Sequence, residues 1–126
     1  MSIFPVMNIE IQTVNGKEIA LINAEGVVIS NAQDALEIIA NCNYQGAENI
    51  IVQEQHLDKT FFDLKTGIAG DILQKFSNYR SKLAIVGDFS QYENKSLRDF
   101  IYESNKAGRI NFVATMQEAT DKLLGG

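Results

Sequence analysis

Met7 to Val14, MNIEIQTV, alternates apolar and polar side chains, with Met7, Ile9 and Ile11 on one side and Asn8, Glu10 and Gln12 on the other. A period of two marks a strand with one face buried. Asn15-Gly16 follows, the pair that best tolerates the positive φ angles of a two-residue hairpin turn. Lys17 to Asn23, KEIALIN, returns as a second strand, apolar enough to be covered on both faces.

From there strands alternate with helices. Ser30 and Gln33 read as a capping box, and behind it Ala32, Ala35, Leu36, Ile39 and Cys42 recur at helical spacing. NIIVQ (Asn49 to Gln53) is a short buried strand. Thr60 to Phe76 carries Ile68, Ile72 and Phe76 on one helical face. KLAIVGD (Lys82 to Asp88) is the most hydrophobic strand, expected to be central and parallel. A further helix bears Leu97, Phe100, Ile101 and Ser104, with Ser96 and Asp99 as its capping box and Gly108 just past its end. INFVA (Ile110 to Ala114) is the last strand, and Thr115 with Glu118 caps a last helix bearing Ala119 and Leu123.

The order β-β-α-β-α-β-α-β-α predicts a single α/β domain over residues 1–126, residues 1–6 being a loosely ordered extension. Its five-stranded mixed sheet is mostly parallel, opens with an antiparallel hairpin and carries four helices. A chain of 126 residues, 45% apolar and 21% charged, makes such a core without a metal or disulfide staple.

Within TFFDLKTGIAGDILQKF, Gly67 and Gly70 fall inside the expected helix, where each costs about 1 kcal/mol relative to alanine. Two readings account for them. Packing is the first: both lie on one side of the helix, where missing side chains let backbone approach backbone. The second is an anion- or phosphate-compatible site made by Thr66 and the free N–H groups of the helix start.

The run FFDLKTGIAGDILQKFSNYRSKLAIVGDFSQYENKSLRDFIYESN resembles a small bacterial family, domain of unknown function forty-one-eighty, over nearly all of Met7 to Leu123. That resemblance implies no established activity. The element order and NIIVQEQHLDKTFFDLKTGIAGDIL are also similar to STAS domains, the fold of anti-sigma-factor antagonists of SpoIIAA type. This resemblance implies that Asp63 matches the family's aspartate, Thr66 its phosphoacceptor and Gly67 the following glycine, here with Leu64 and Lys65 between aspartate and acceptor. It also implies that this loop and helix form a partner-docking surface.

A net charge of −5, with the eleven Lys and Arg dispersed along the chain, argues against nucleic acid and against an anionic membrane surface. The start MSIFPVMNIE has no signal-peptide pattern, and a cytoplasmic protein is expected. One cysteine, Cys42, excludes an internal disulfide and reads as a buried apolar residue. In open α/β sheets ligands sit beyond the carboxyl ends of the parallel strands. That edge would present Glu54 and His56, then Asp88, Phe89, Ser90 and Tyr92, then Thr115.

The leading expectation is a non-enzymatic regulatory or protein-interaction module needing no cofactor. Its docking surface would comprise Asp63, Thr66, Gly67, Gly70, Asp88, Phe89, Ser90 and Tyr92, with another protein as partner and a homodimer as one form of it. The alternative is a binder of a small apolar or lipid-like molecule, in a cavity rimmed by Phe61, Phe89 and Tyr92. A hydrolase would need Ser90, His56 and an aspartate within hydrogen-bond reach, although His56 reads first as a surface loop residue. Glu54, Asp58 and Asp63 could hold a hard cation.

Overall fold

The computed structural model describes residues 7–125, so the expected extension at residues 1–6 lies outside the described residues. Strands β1 (Met7–Val14) and β2 (Lys17–Ala24) form the antiparallel hairpin. Asn15 and Gly16 turn it with φ of 53° and 78°. Then follow α1 (Ala32–Tyr44), β3 (Asn49–Gln53), α2 (Ile68–Asn78), β4 (Lys82–Val86), α3 (Lys95–Ala107), β5 (Ile110–Val113) and α4 (Met116–Leu124).

The sheet order is β1-β2-β3-β4-β5, with every pair after the hairpin parallel. Each crossover therefore advances one strand in the same direction. Right-handed crossovers of that kind place their helices on one side of the sheet. Accordingly α1, α2 and α3 cover one face, over Ala20, Ile22, Ile50, Val52, Leu83, Ile85, Ile110 and Phe112. The strands' alternation sends Ile19, Ile51, Ala84 and Val113 to the other face, where Ala119 and Leu123 of α4 meet them. Cys42 is buried in the larger core, and burial pushes its thiol up from 9.0 to about 11.

Two helix starts differ from the expected ones. Asn31, not Ser30, caps α1 by accepting from the Asp34 N–H, while the Asp34 carboxylate accepts from the Ser30 N–H. Asn94, not Ser96, caps α3 by accepting from the Leu97 N–H, and Asp99 instead pairs with Lys95 at 2.8 Å. In both cases a nearby asparagine, one residue after Ser30 and two before Ser96, is the acceptor. Thr115 caps α4 as expected, and Gly108 ends α3 with φ 87°. Among the described residues no helix is long and apolar enough to cross a membrane.

Candidate functional site

Three of the four connections at the carboxyl edge are long, residues 25–31, 54–67 and 87–94, and the fourth is residues 114–115. Glu54, the first residue past β3, ties two of them together. Its Oε1 accepts from the Asp88 N–H at 3.2 Å, and its Oε2 accepts from the Tyr92 hydroxyl at 2.6 Å and from the Gln91 amide at 3.4 Å. Burial, and then the adjoining Glu54 carboxylate, push the Tyr92 hydroxyl well above its ordinary value, so it acts as a donor. Gly87 makes the approach possible. A Cβ there would lie 2.6 Å from Glu54 Oε1 and 2.7 Å from Glu54 Cβ.

The segment from Thr60 to Phe76 is not one helix. It runs through 3-10 turns at Lys59–Phe62 and Leu64–Thr66 before α2 begins at Ile68. Gly67 sits at the junction with φ 76°, a left-handed backbone that glycine adopts at no steric cost. Gly70 lies in the first turn of α2 and faces open space. A Cβ on either glycine would have nothing within 4 Å, so neither serves close packing, contrary to the packing expectation. The Thr66 side chain is exposed, yet its hydroxyl is engaged. It lies 2.8 Å from the Asp63 carbonyl and 2.9 Å from the Thr60 carbonyl as donor, and accepts from the Ile68 N–H at 3.2 Å. Thr66 thus satisfies the first N–H of α2 from the position before the Gly67 cap, which has no side chain to do so.

His56 is buried at 2% exposure rather than lying on the surface. Nδ1 accepts from the Gln53 N–H at 3.0 Å, which leaves Nε2–H to donate to the Ala24 carbonyl at 3.0 Å. The ring thereby fastens the β3 loop to the end of β2. The His56 carbonyl extends this by accepting from the Val28 and Ile29 N–H groups. The triad expected of a hydrolase does not form, because both ring nitrogens are spent on backbone and Ser90 Oγ donates to Asp88 Oδ1 at 2.6 Å.

Asp58, Asp63 and Asp88 each accept from the N–H two residues ahead, those of Thr60, Lys65 and Ser90. These are aspartate turns that shape the loops locally. The Thr60 backbone N–H and hydroxyl hold the Asp58 carboxyl below its ordinary range, and the Ser90 hydroxyl and N–H do so for Asp88. Among the described residues no three His, Cys, Asp or Glu side chains gather as a metal site, so Glu54, Asp58 and Asp63 form no cation cluster.

Phe61 is buried at 1% exposure, while Phe62, Phe89 and Tyr92 are half-buried. Phe62 stacks on Tyr92 with centroids 5.0 Å apart and planes 13° off parallel, joining the two loops. The pair stands between two concavities. A cleft of ≈ 700 Å³ includes Glu54, Leu57, Phe62, Val86, Gly87 and Tyr92 in its lining. A groove of ≈ 730 Å³ on the other side includes Asp63, Leu64, Lys65, Gln91, Glu93 and Asn94.

The sequence profile of the domain of unknown function DUF4180 matches residues 14–123. The chain belongs to the DUF4180 family. No curated protein matches it. The solved structure of a candidate anti-sigma factor antagonist from Thermotoga maritima is similar at 14% identity, covering 91% of this chain and 93% of that chain with a TM-score of 0.49. In this DUF4180 domain Asp63 and Tyr92 face one groove, whereas Thr66, Gly67, Gly70, Asp88 and Ser90 stand exposed outside its lining. Of the expected cavity rim only Tyr92 lines the cleft. Phe61 has gone into the core beside Phe112, and Phe62 takes its place. Gly87 and Phe62 were absent from the expected site, and Glu54 was expected at the strand ends and as a cation ligand rather than as a tie between two loops. A glycine directly after the apolar KLAIV run was the one signal for the close approach at Gly87.

Proposed function

We propose that this DUF4180 domain is a non-enzymatic regulatory module of the cytoplasm that docks a protein partner at the carboxyl edge of its sheet. The observation that carries this reading is the groove between residues 62–65 and 91–97, whose two walls are locked by the Phe62–Tyr92 stack. Such a preformed surface needs little ordering when a partner binds. The sequence resemblance to anti-sigma-factor antagonists points to the same segment.

Thr66 is the modification point on this reading. A phosphate would add about −1.5 to −2 charges beside Asp63 and the first-turn Asp71, and would remove the hydroxyl proton that the Asp63 or Thr60 carbonyl receives. It would act by loosening the start of α2 next to the groove.

The test is capture of partners from the native lysate on the tagged domain, with quantitative mass spectrometry. Asp63→Arg/Glu93→Arg reverses the groove's acidic charge and should lose a protein that wild type and Lys106→Glu, changed at the opposite edge, both retain. An identical set of recovered proteins from all three would overturn the docking assignment. A second reading, a small-ligand binder, is favoured by the adjoining cleft of ≈ 700 Å³.

A further inference from the structure

Beside the docking groove, the cleft at the ends of β3 and β4 has the size of a small-molecule site, whose usual range is about 300–1,000 Å³. Its lining is half apolar and half polar. Val27, Leu57, Val86 and the paired rings of Phe62 and Tyr92 supply the apolar part, and Gln53, Gln55 and Gln91 supply neutral amides. That mixture fits a purely apolar or lipid-like molecule poorly, because the amides and carboxylates would lose water without gaining partners.

The charges are uneven. Glu54 accepts only from neutral donors: a backbone N–H, a side-chain amide and a phenol. The one ion pair among the described residues is Lys95–Asp99, and neither residue lines the cleft. Lys59, the cleft's single cation, is exposed and acts on the neighbouring Asp58 carboxylate. A carboxylate offers about four acceptor positions, and Glu54 uses three, one of them long at 3.4 Å. It is therefore an uncompensated negative group in a cleft with an aromatic wall, on a chain of net charge −5.

Resting on the small-ligand reading of this cleft, we propose that it binds an organic cation, a primary amine carried on a compact aromatic or aliphatic body, with Glu54 as its counter-ion. The body would lie against Leu57, Val86 and the Phe62–Tyr92 pair. Gly87 lets the Glu54 side chain lie against the end of β4.

Three nearly isosteric probes test this on the whole chain: 2-phenylethylamine, 2-phenylethanol and phenylacetate, titrated against amide chemical shifts of residues 53–59 and 86–92. The amine should bind on the order of tenfold more tightly than the alcohol, with phenylacetate weakest. Glu54→Gln keeps one oxygen to accept from the Asp88 N–H and turns an amide NH2 toward the Tyr92 hydroxyl, whose oxygen can accept, while removing the charge. It should erase the amine's advantage without changing the alcohol. Lys59→Met, at an exposed position, should tighten the amine by about twofold. Equal binding of alcohol and amine to the wild-type chain would overturn the cation assignment and leave a ligand site of other chemistry. No shift with any of the three probes would remove the small-ligand reading as well.

Discussion

The two ends of the sheet are held in different ways. At the amino edge the connections are short, covering residues 45–48, 79–81 and 108–109. Amide and basic side chains stitch them to backbone. Asn43 donates to the Ile39 carbonyl and the Ser81 hydroxyl, Asn111 to the Leu83 and Gly108 carbonyls, and Arg109 to the Ser81 carbonyl. At the carboxyl edge the loops are longer and rest on a few anchors: His56, Glu54 against Gly87, and Phe61 beneath them. Around those anchors the carboxylates of Asp58, Asp63 and Asp88 bend only their own loops. One edge thus spends its polar side chains on closing the fold, and the other holds concave surface open, which is where α/β sheets place recognition.

The largest expected effect tests how far the carboxyl edge depends on one ring. His56→Ala would leave the Gln53 N–H and the Ala24 carbonyl without their partner and would open a cavity. A loss of about 3–4 kcal/mol is expected in urea unfolding. The comparison predicts that the backbone amides of residues 24–30 lose hydrogen-exchange protection in this variant, while those of residues 79–83 keep theirs. Uniform loss at both ends would mean that the ring is an ordinary core residue. Gly87→Ala comes next, at about 1–3 kcal/mol, since the added methyl must displace the Glu54 stem as well as its carboxylate. Tyr92 should then lose its acceptor, seen as a shift of its ring resonances.

Local patterns carried much of this arrangement and failed where a distant partner decides. The alternation in β1, Asn15-Gly16, the Thr115 cap and Gly108 past α3 depend on neighbours a few positions away, and each stands where its spacing put it. The caps of α1 and α3 were displaced because asparagine, serine and aspartate compete over adjacent positions, and spacing alone does not rank them. His56 and Glu54 were misjudged for a different reason. Their roles come from Ala24, Asp88 and Tyr92, partners up to 38 positions away, which only the adjacency of β2, β3 and β4 brings near.

Gly67 and Gly70 sharpen the same point at smaller cost, because similar glycines three positions apart should respond with opposite signs. Gly67→Ala forces a side chain into φ 76° and should destabilise by about 1–2 kcal/mol. Gly70→Ala replaces a helical glycine in open space and should stabilise by about 0.5–1 kcal/mol. Thermal unfolding of the two variants measures both. Destabilisation by Gly70→Ala would mean that its surface is kept bare for something that docks there.

The smallest expected effect bears on the amino edge, where Lys82, Lys106, Arg109 and Lys122 share a concavity of ≈ 310 Å³ with a single carboxylate, Asp121, among its lining residues. If these cations serve the fold, they should be fixed on carbonyls, as two of the four are. Arg109 donates to the Ser81 carbonyl at 3.1 Å and Lys122 to the Asn105 carbonyl at 3.0 Å, close to the end of α3 where the helix dipole favours positive charge. If instead they crowd together to receive an anion, removing one should relieve repulsion and stabilise the chain. The sign decides between the two. Lys122→Met should destabilise by about 0.3–1 kcal/mol at low salt, shrinking as salt is raised. Stabilisation by the same change, or phosphate raising the melting temperature of wild type but not of Lys122→Met, would give this edge a binding role and erase the contrast between the two ends.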